Sequence, residues 1–239
     1  MESNWCKKNC CATILSVNSS KSNIELPAID FYGFVGVIVP GTILLVSVSL
    51  LFKNKELESL LAPENIGGLG IHLILAYIFG HLLQSIGNII ESVYWGLWQG
   101  MPTDWPVSKS RNRKFSQAID VICKYTGHEA PSGSRKEQIR LWKFLVSQAR
   151  IAIYAKGRAA RLQVFVSTYG MFRGVLAAIA VVALIGWKST EVQTIILYPV
   201  LITIAILAGH RMHRFGVHYA EELFANAAEL IKEKDKNAT

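Results

Sequence analysis

Charge is scarce in this chain. Asp, Glu, Lys and Arg make up 18% of its 239 residues, against about 25% in soluble domains. Residues 31–52, 66–90 and 192–209 hold no charged side chain at all. A fourth such stretch, 174–187, extends back to about 168 once Arg173 is included. Cysteine is rare too, with four residues at 6, 10, 11 and 123. Cys6-x-x-x-Cys10-Cys11 has the look of a metal motif, but no histidine or second cysteine pair accompanies it. There is no nucleophile elbow, no phosphate-binding glycine loop, no zinc-protease helix and no transporter-like repeat. These absences exclude a disordered chain, which is rich in charge, and argue against an ordinary soluble enzyme. Nothing in the sequence calls for a cofactor.

The uncharged stretches are long enough to matter. A helix needs roughly 20 apolar residues to cross the hydrocarbon core of a bilayer, so they predict four transmembrane helices. The first lies too far from the start, and runs too long, for the apolar region of a secretory signal. The third tolerates Arg173 in one of two ways: the side chain snorkels to the headgroups, or it faces a water-filled path. The expected fold is all-α and polytopic. It comprises a cytoplasmic segment 1–30, a transmembrane hairpin 31–90, a basic helical cytoplasmic domain 91–163, a second hairpin 164–209, and a cytoplasmic helix and tail 210–239. Basic residues set the orientation: the termini and the insert carry 21 Lys and Arg, against 3 on the other side. Both termini and the insert are therefore expected in the cytoplasm, where the cysteines stay reduced.

The charge that remains is lopsided. The formal net is +8, and residues 91–163 alone hold 13 basic and 5 acidic side chains. Such a field attracts anions, whether phospholipid headgroups, nucleotides or nucleic acid. The insert reads as helical. Tyr94, Trp95, Trp98 and Trp105 form an interfacial aromatic cluster, and prolines 102 and 106 turn the chain away from the second span. A helix is expected over 108–126, with Phe115, Ile119 and Ile122 on one face and Gly127 as its stop. Ser134-Arg-Lys-Glu137 is a capping box. Beyond it Ile139, Trp142, Val146, Ala149 and Ile153 recur at 3 and 4, a bundle seam. One residue on, Arg140, Lys143, Ser147, Arg150, Tyr154, Arg158 and Arg161 form a cationic stripe. With only Gly157 to interrupt it, this helix is expected to run into the third span. The stripe reads as a solvated face, as a lipid-binding face, or as a polyphosphate or oligonucleotide site on which Trp142 and Tyr154 offer stacking surfaces.

In the second span Tyr77, His81, Gln84, Asn88 and Glu91 follow at 4, 3, 4 and 3. Polar groups in lipid face a bundle interior or a water-filled cavity, so this face reads as interhelical hydrogen bonding or as a pore lining. His81 alone is a weak metal or catalytic candidate. Gly33, Gly36 and Pro40-Gly41 in the first span, and Gly170, Gly174 and Ala178 in the third, suit close packing, as Tyr198-Pro199 suits a bend in the fourth. They favour an oligomer, a tetramer being one option. His210, His213 and His218 sit where the fourth span meets the cytosol and read as interfacial anchors. From Phe215 a tail helix is expected, whose acidic faces suit packing on the basic insert or on a neighbouring subunit.

Three segments resemble a group of small bacterial membrane proteins, some of them effectors of antiphage defence. They are Asp30-Phe-Tyr-Gly-Phe-Val-Gly-Val-Ile-Val-Pro-Gly41, Gly80-His-Leu-Leu-Gln84 and His213-Arg-Phe-Gly-Val-His-Tyr-Ala-Glu-Glu222. The order of parts, two spans, a basic helical insert and two spans, is similar to the transmembrane effector of the Hailong system. The likeness covers most of the chain and is architectural, and it assigns no residue a role. It implies an oligomeric ion channel in the bacterial inner membrane, controlled by a nucleotide or oligonucleotide from a partner nucleotidyltransferase, whose opening depolarises the membrane. Residues and resemblance together point to a non-enzymatic, anion-sensing pore. Its sensor would be Arg140, Trp142, Lys143, Arg150, Tyr154, Arg158 and Arg161, and its lining Tyr77, His81, Gln84, Asn88 and Glu91. The alternative is a non-catalytic membrane anchor or scaffold that docks a cytosolic partner.

Overall fold

The computed structural model describes residues 31–52, 66–108, 115, 117–187 and 192–237. The three amino-terminal cysteines and the loop lysines 53, 55 and 188 lie outside that range. Among the described residues the chain is all-helical, without a strand. The helices are α1 (Phe31–Phe52), α2 (Ile66–Leu97), α3 (Ala118–Thr126), α4 (Arg135–Ala155), α5 (Ala160–Gly186) and α6 (Val192–Asn237). A short 3-10 helix covers Pro102–Val107.

Three segments are long and apolar enough to cross a membrane: Gly33–Leu51, Gly67–Val107 and Ala160–Gly186. The fourth charge-free stretch opens α6, whose side chains through residue 197 lie outside the description. That helix does not stop at the expected boundary near residue 210. It continues as one 46-residue rod through Asn237, so the expected tail helix is its distal part. No glycine–proline break separates the two halves, and at about 1.5 Å per residue the rod is about 69 Å long.

These three helices and the first half of α6 meet around Leu44, Leu83, Val175, Ala178, Val182 and Leu201. Backbone approach is closest between α1 and α2. A Cβ on Gly41 would lie 1.8 Å from the Ala76 carbonyl oxygen, and one on Gly80 would lie 2.1 Å from that of Val37. Small residues at a crossing let backbones touch where lipid supplies no hydrophobic drive. Gly174 of α5 plays the same part against Pro40, whose ring carbon would stand 2.7 Å from an added Cβ.

Beyond the membrane helices, α3, α4 and distal α6 close a second core. It holds Ile122, Trp142, Leu145, Ile153, Leu223 and Leu230, all fully or almost fully buried. Local signals read from the sequence set its ends. Gly127 takes φ 72° and closes α3. Ser134 and Glu137 form the reciprocal capping box at the start of α4, with Glu137 accepting from the Ser134 amide at 3.0 Å and from its hydroxyl at 2.7 Å. The expected 108–126 helix is seen as Ala118–Thr126, and residues 109–114 and 116 fall outside the description.

The expected continuous helix from the insert into the third span is not what forms. α4 ends at Ala155, and Gly157 adopts φ 69°. The Gly157 amide donates to Tyr154 O at 3.0 Å, and that of Arg158 to Ile153 O at 3.1 Å. Only glycine takes that left-handed conformation without steric cost, so the break sits there and α5 starts anew at Ala160.

The α1–α2 crossing makes a direct prediction. Gly41→Ala places a methyl on a backbone carbonyl and should destabilise by about 1–3 kcal/mol, lowering the melting temperature in detergent. Gly96→Ala, where an added Cβ meets nothing within 4 Å, should leave it unchanged or slightly raised.

Candidate functional site

α5 carries a charge into the apolar bundle. Arg173 lies in the membrane-crossing segment Ala160–Gly186, and its side chain does not snorkel outward. It pairs with Glu91 of α2 and donates from Nη2 to Gln84 Oε1 at 2.8 Å. The two side chains keep only 19% and 18% of their surface exposed. Gln84 in turn donates to Gly170 O at 3.2 Å and, more weakly, to Gly36 O at 3.4 Å. One network therefore ties α1, α2 and α5 together. Arg173 turns inward because Gln84 and Glu91, two turns apart on α2, offer acceptors closer than the headgroups. Its Nε–H is buried with no partner among the described residues.

The same arginine reaches a cavity of about 390 Å³ between the α3–α4–distal α6 core and the long apolar helices. Its walls come from Met101–Asp104 after α2, Lys143 and Arg150 of α4, Tyr169 and Arg173 of α5, and Tyr219 of α6. Tryptophan donors hold the walls in place. Trp142 Nε1 donates to Thr103 O at 2.7 Å, Trp95 Nε1 to the Tyr169 hydroxyl at 2.6 Å, and Trp105 Nε1 to Gly100 O at 2.9 Å. The Tyr169 hydroxyl also bonds the Glu91 carboxylate. Arg150 bonds the Tyr219 hydroxyl, whose pKa is pushed up by burial and drawn back in part by that guanidinium. Lys143 pairs with Asp104 at 3.4 Å.

The predicted cationic stripe is thus divided. Lys143 and Arg150 line the cavity, while Arg140 and Tyr154 are exposed. Arg158 pairs with Glu233, and with Glu229 at 3.4 Å. Arg161 reaches Glu222 at 3.5 Å, and Lys156 beside the stripe holds Glu233 at 2.9 Å. The acidic face of distal α6 therefore packs on the insert and takes up the carboxy-terminal half of the stripe. Trp142 is a correction: it is fully buried and offers no ring face for stacking. It sits where the apolar seam and the stripe adjoin, and its indole completes the core.

The predicted pore face divides as well. Gln84 and Glu91 turn toward Arg173, whereas Tyr77, His81 and Asn88 are exposed on the protomer. Ser85 and Ser92, passed over in the sequence, are exposed beside them. At about 100° per residue, positions 77, 81, 85, 88 and 92 span an arc of about 80°. Their spacing of 4, 4, 3 and 4 was the signal for them. Tyr77 and His81 contact edge to face at 4.5 Å.

The interfacial aromatics close on His213. Trp98 and Trp95 lie 4.7 and 5.2 Å from it, and Tyr94 and Trp105 each 6.2 Å. Burial, helped by His210, holds the His213 imidazole below its usual pKa, which favours the neutral ring. His218 bonds Glu221 at 3.0 Å instead. Among the described residues no group of three His, Cys, Asp or Glu is placed to hold a metal. Comparison with protein-family models, curated proteins and solved structures finds no match to the chain.

Two predictions follow from these contacts. Glu91→Ala strands a buried guanidinium and should cost about 3–5 kcal/mol, read as a lowered melting temperature in detergent, whereas Glu91→Leu with Arg173→Met should recover most of the loss. The second concerns acid. Lys156 first, then Arg158, holds the Glu233 carboxyl below its ordinary 4.5. A depressed carboxylate pKa stabilises the fold above the unfolded value, and that contribution disappears as pH falls through the folded one. The melting temperature should therefore drop on acidification below about 4.5, and Glu233→Gln should flatten the drop.

Proposed function

We propose that this chain is a non-enzymatic, oligomeric membrane pore with four transmembrane helices, α6 supplying the fourth, whose basic cytoplasmic domain senses an anionic nucleotide or oligonucleotide. The observation that carries this reading is the exposed polar arc of α2. Tyr77, His81, Ser85, Asn88 and Ser92 lie on a helix long and apolar enough to span a bilayer, and none of the other described residues buries them. Polar side chains are costly against lipid and face either other protein or water. A second copy, or a water-filled path between copies, supplies what the protomer lacks. Gly67 and Gly70 lie on the same arc, and an added Cβ at either meets nothing within 4 Å, which leaves room for close approach.

A pore lined by this arc conducts ions, and in a bacterial inner membrane its opening dissipates the potential. That outcome fits the antiphage setting that the resemblance implies, with a partner nucleotidyltransferase as the source of the ligand. The positive surplus of the insert gives an anion differential affinity for one state, and gating requires no more. A tenfold preference corresponds to about 1.4 kcal/mol.

Purified protein in liposomes tests the reading. Ion flux above that of empty vesicles is expected, and His81→Leu with Asn88→Leu should change its conductance in planar bilayers at least severalfold. Absence of flux under every ligand condition would leave the membrane-anchor alternative in its place.

A further inference from the structure

The cavity between the cytoplasmic core and the membrane helices has a chemistry of its own. Three cations, Lys143, Arg150 and Arg173, line it against one carboxylate, Asp104. Asp104 pairs with Lys143 and Glu91 with Arg173, so among the described residues Arg150 supplies the positive excess that faces the space. The Tyr219 hydroxyl stands beside it, while that of Tyr169 is taken up by Glu91. Its volume of about 390 Å³ falls in the range of small-molecule sites, about 300–1,000 Å³. A mononucleotide or a lipid headgroup fits such a space, while a longer polyanion enters it only by an end. The walls belong to four separate elements pinned by buried tryptophan donors, so the cations are held in place before any ligand arrives. Arg173 keeps a buried Nε–H without an acceptor among the described residues.

We propose that this cavity binds a phosphate group, carried by a soluble ligand or by a lipid headgroup, and that its occupancy draws Arg173 away from Glu91. Phosphate suits the donor set: guanidinium groups bind its oxygens with paired N–H donors and lysine adds a point charge. The cavity borders the Tyr94–Trp98 aromatic cluster through Met101 and Tyr169, so it lies within reach of both headgroups and the cytosol. An anion here competes with Glu91 for one guanidinium. Glu91 is anchored on α2 beside the exposed polar arc, so weakening its ion pair alters the charge next to the proposed conduction path. This last step rests on the pore reading; binding of phosphate does not.

The test uses the full chain in nanodiscs of phosphatidylcholine. Calorimetric titration with inorganic pyrophosphate probes a soluble ligand, and native mass spectrometry of discs doped with phosphatidic acid probes a headgroup. Binding of either probe is expected, weakened tenfold or more by Arg150→Ala and again by Lys143→Ala, and unchanged in Lys136→Ala, an exposed cation off both the cavity and the stripe. Pyrophosphate binding assigns the soluble source, and selective retention of phosphatidic acid without it assigns the headgroup. If neither probe binds, or if both cavity variants bind as tightly as the parent, the site is overturned. Liposome flux measured with the probe that binds separates the two claims. Flux that responds in the parent and not in Lys143→Ala/Arg150→Ala supports the coupling. Binding without any flux keeps the phosphate site and removes the pore reading. Flux without binding keeps the pore and removes the site.

Discussion

A guanidinium inside an apolar span constrains everything packed against it. Removing Arg173 from water is tolerable only with an opposite charge and further acceptors at hand, and α2 supplies both, in Glu91 and Gln84. That requirement fixes the register of α5 on α2. It also accounts for two glycines at the contact. A Cβ on Gly87 would lie 3.0 Å from Arg173 Cγ, and one on Gly174 would lie 3.2 Å from Gln84 Nε2. The network needs that space. Gln84 then bonds the Gly170 and Gly36 carbonyls, so the register of α1 follows from the same charge.

The core of α3, α4 and distal α6 inherits its position from this arrangement. α5 begins three residues after Gly157, and α6 passes from bundle to core without interruption. What holds the core itself together is apolar burial, not the row of ion pairs on its outside. Exposed pairs contribute about 0–1 kcal/mol each, and Lys124–Asp235 keeps roughly 60% of both side chains in solvent, 62% and 59%. A fully buried residue such as Trp142 or Leu223 contributes several times more when compared with its truncation. The ion pairs matter for a different reason: they remove Arg158 and Arg161 from the field available to a ligand, and leave Lys143 and Arg150 to face the cavity.

Legibility in the sequence followed the range of the forces. Signals confined to one turn were readable, including the Ser134–Glu137 box and the Gly127 stop, as was the absence of charge along the membrane segments. Trp142 carries two sequence readings, seam and stacking surface, because it sits on the border between two stripes of one helix; the partner helices put it in the core. Arg173 likewise leaves snorkelling and a water-filled path both open in the sequence. Its partner lies 82 residues away, and no local pattern connects them. The cavity was beyond reach altogether, since its walls come from four separate stretches between Met101 and Tyr219.

The hardest distinction lay within α2. Positions 84 and 91 and positions 85 and 92 both continue the row begun by Tyr77 and His81, because a helix of 3.6 residues per turn lets either step extend a face. The two choices diverge by about 100°, which is the difference between facing Arg173 and facing outward. The structure uses both. Ala76, Gly80, Leu83 and Gly87 are buried against the protomer, with Gln84 and Glu91 on that side. Ile78, Leu82, Ile86, Ile89 and Val93 are exposed and apolar, as a lipid-facing surface should be. The polar arc lies between these two sectors. A helix with three such faces is satisfied by one protomer on the first and by lipid on the second. The third has no partner of matching chemistry among the described residues of a single copy, and that asymmetry is the physical ground of the proposal that another copy, or the water it encloses, lies along Tyr77, His81, Ser85, Asn88 and Ser92.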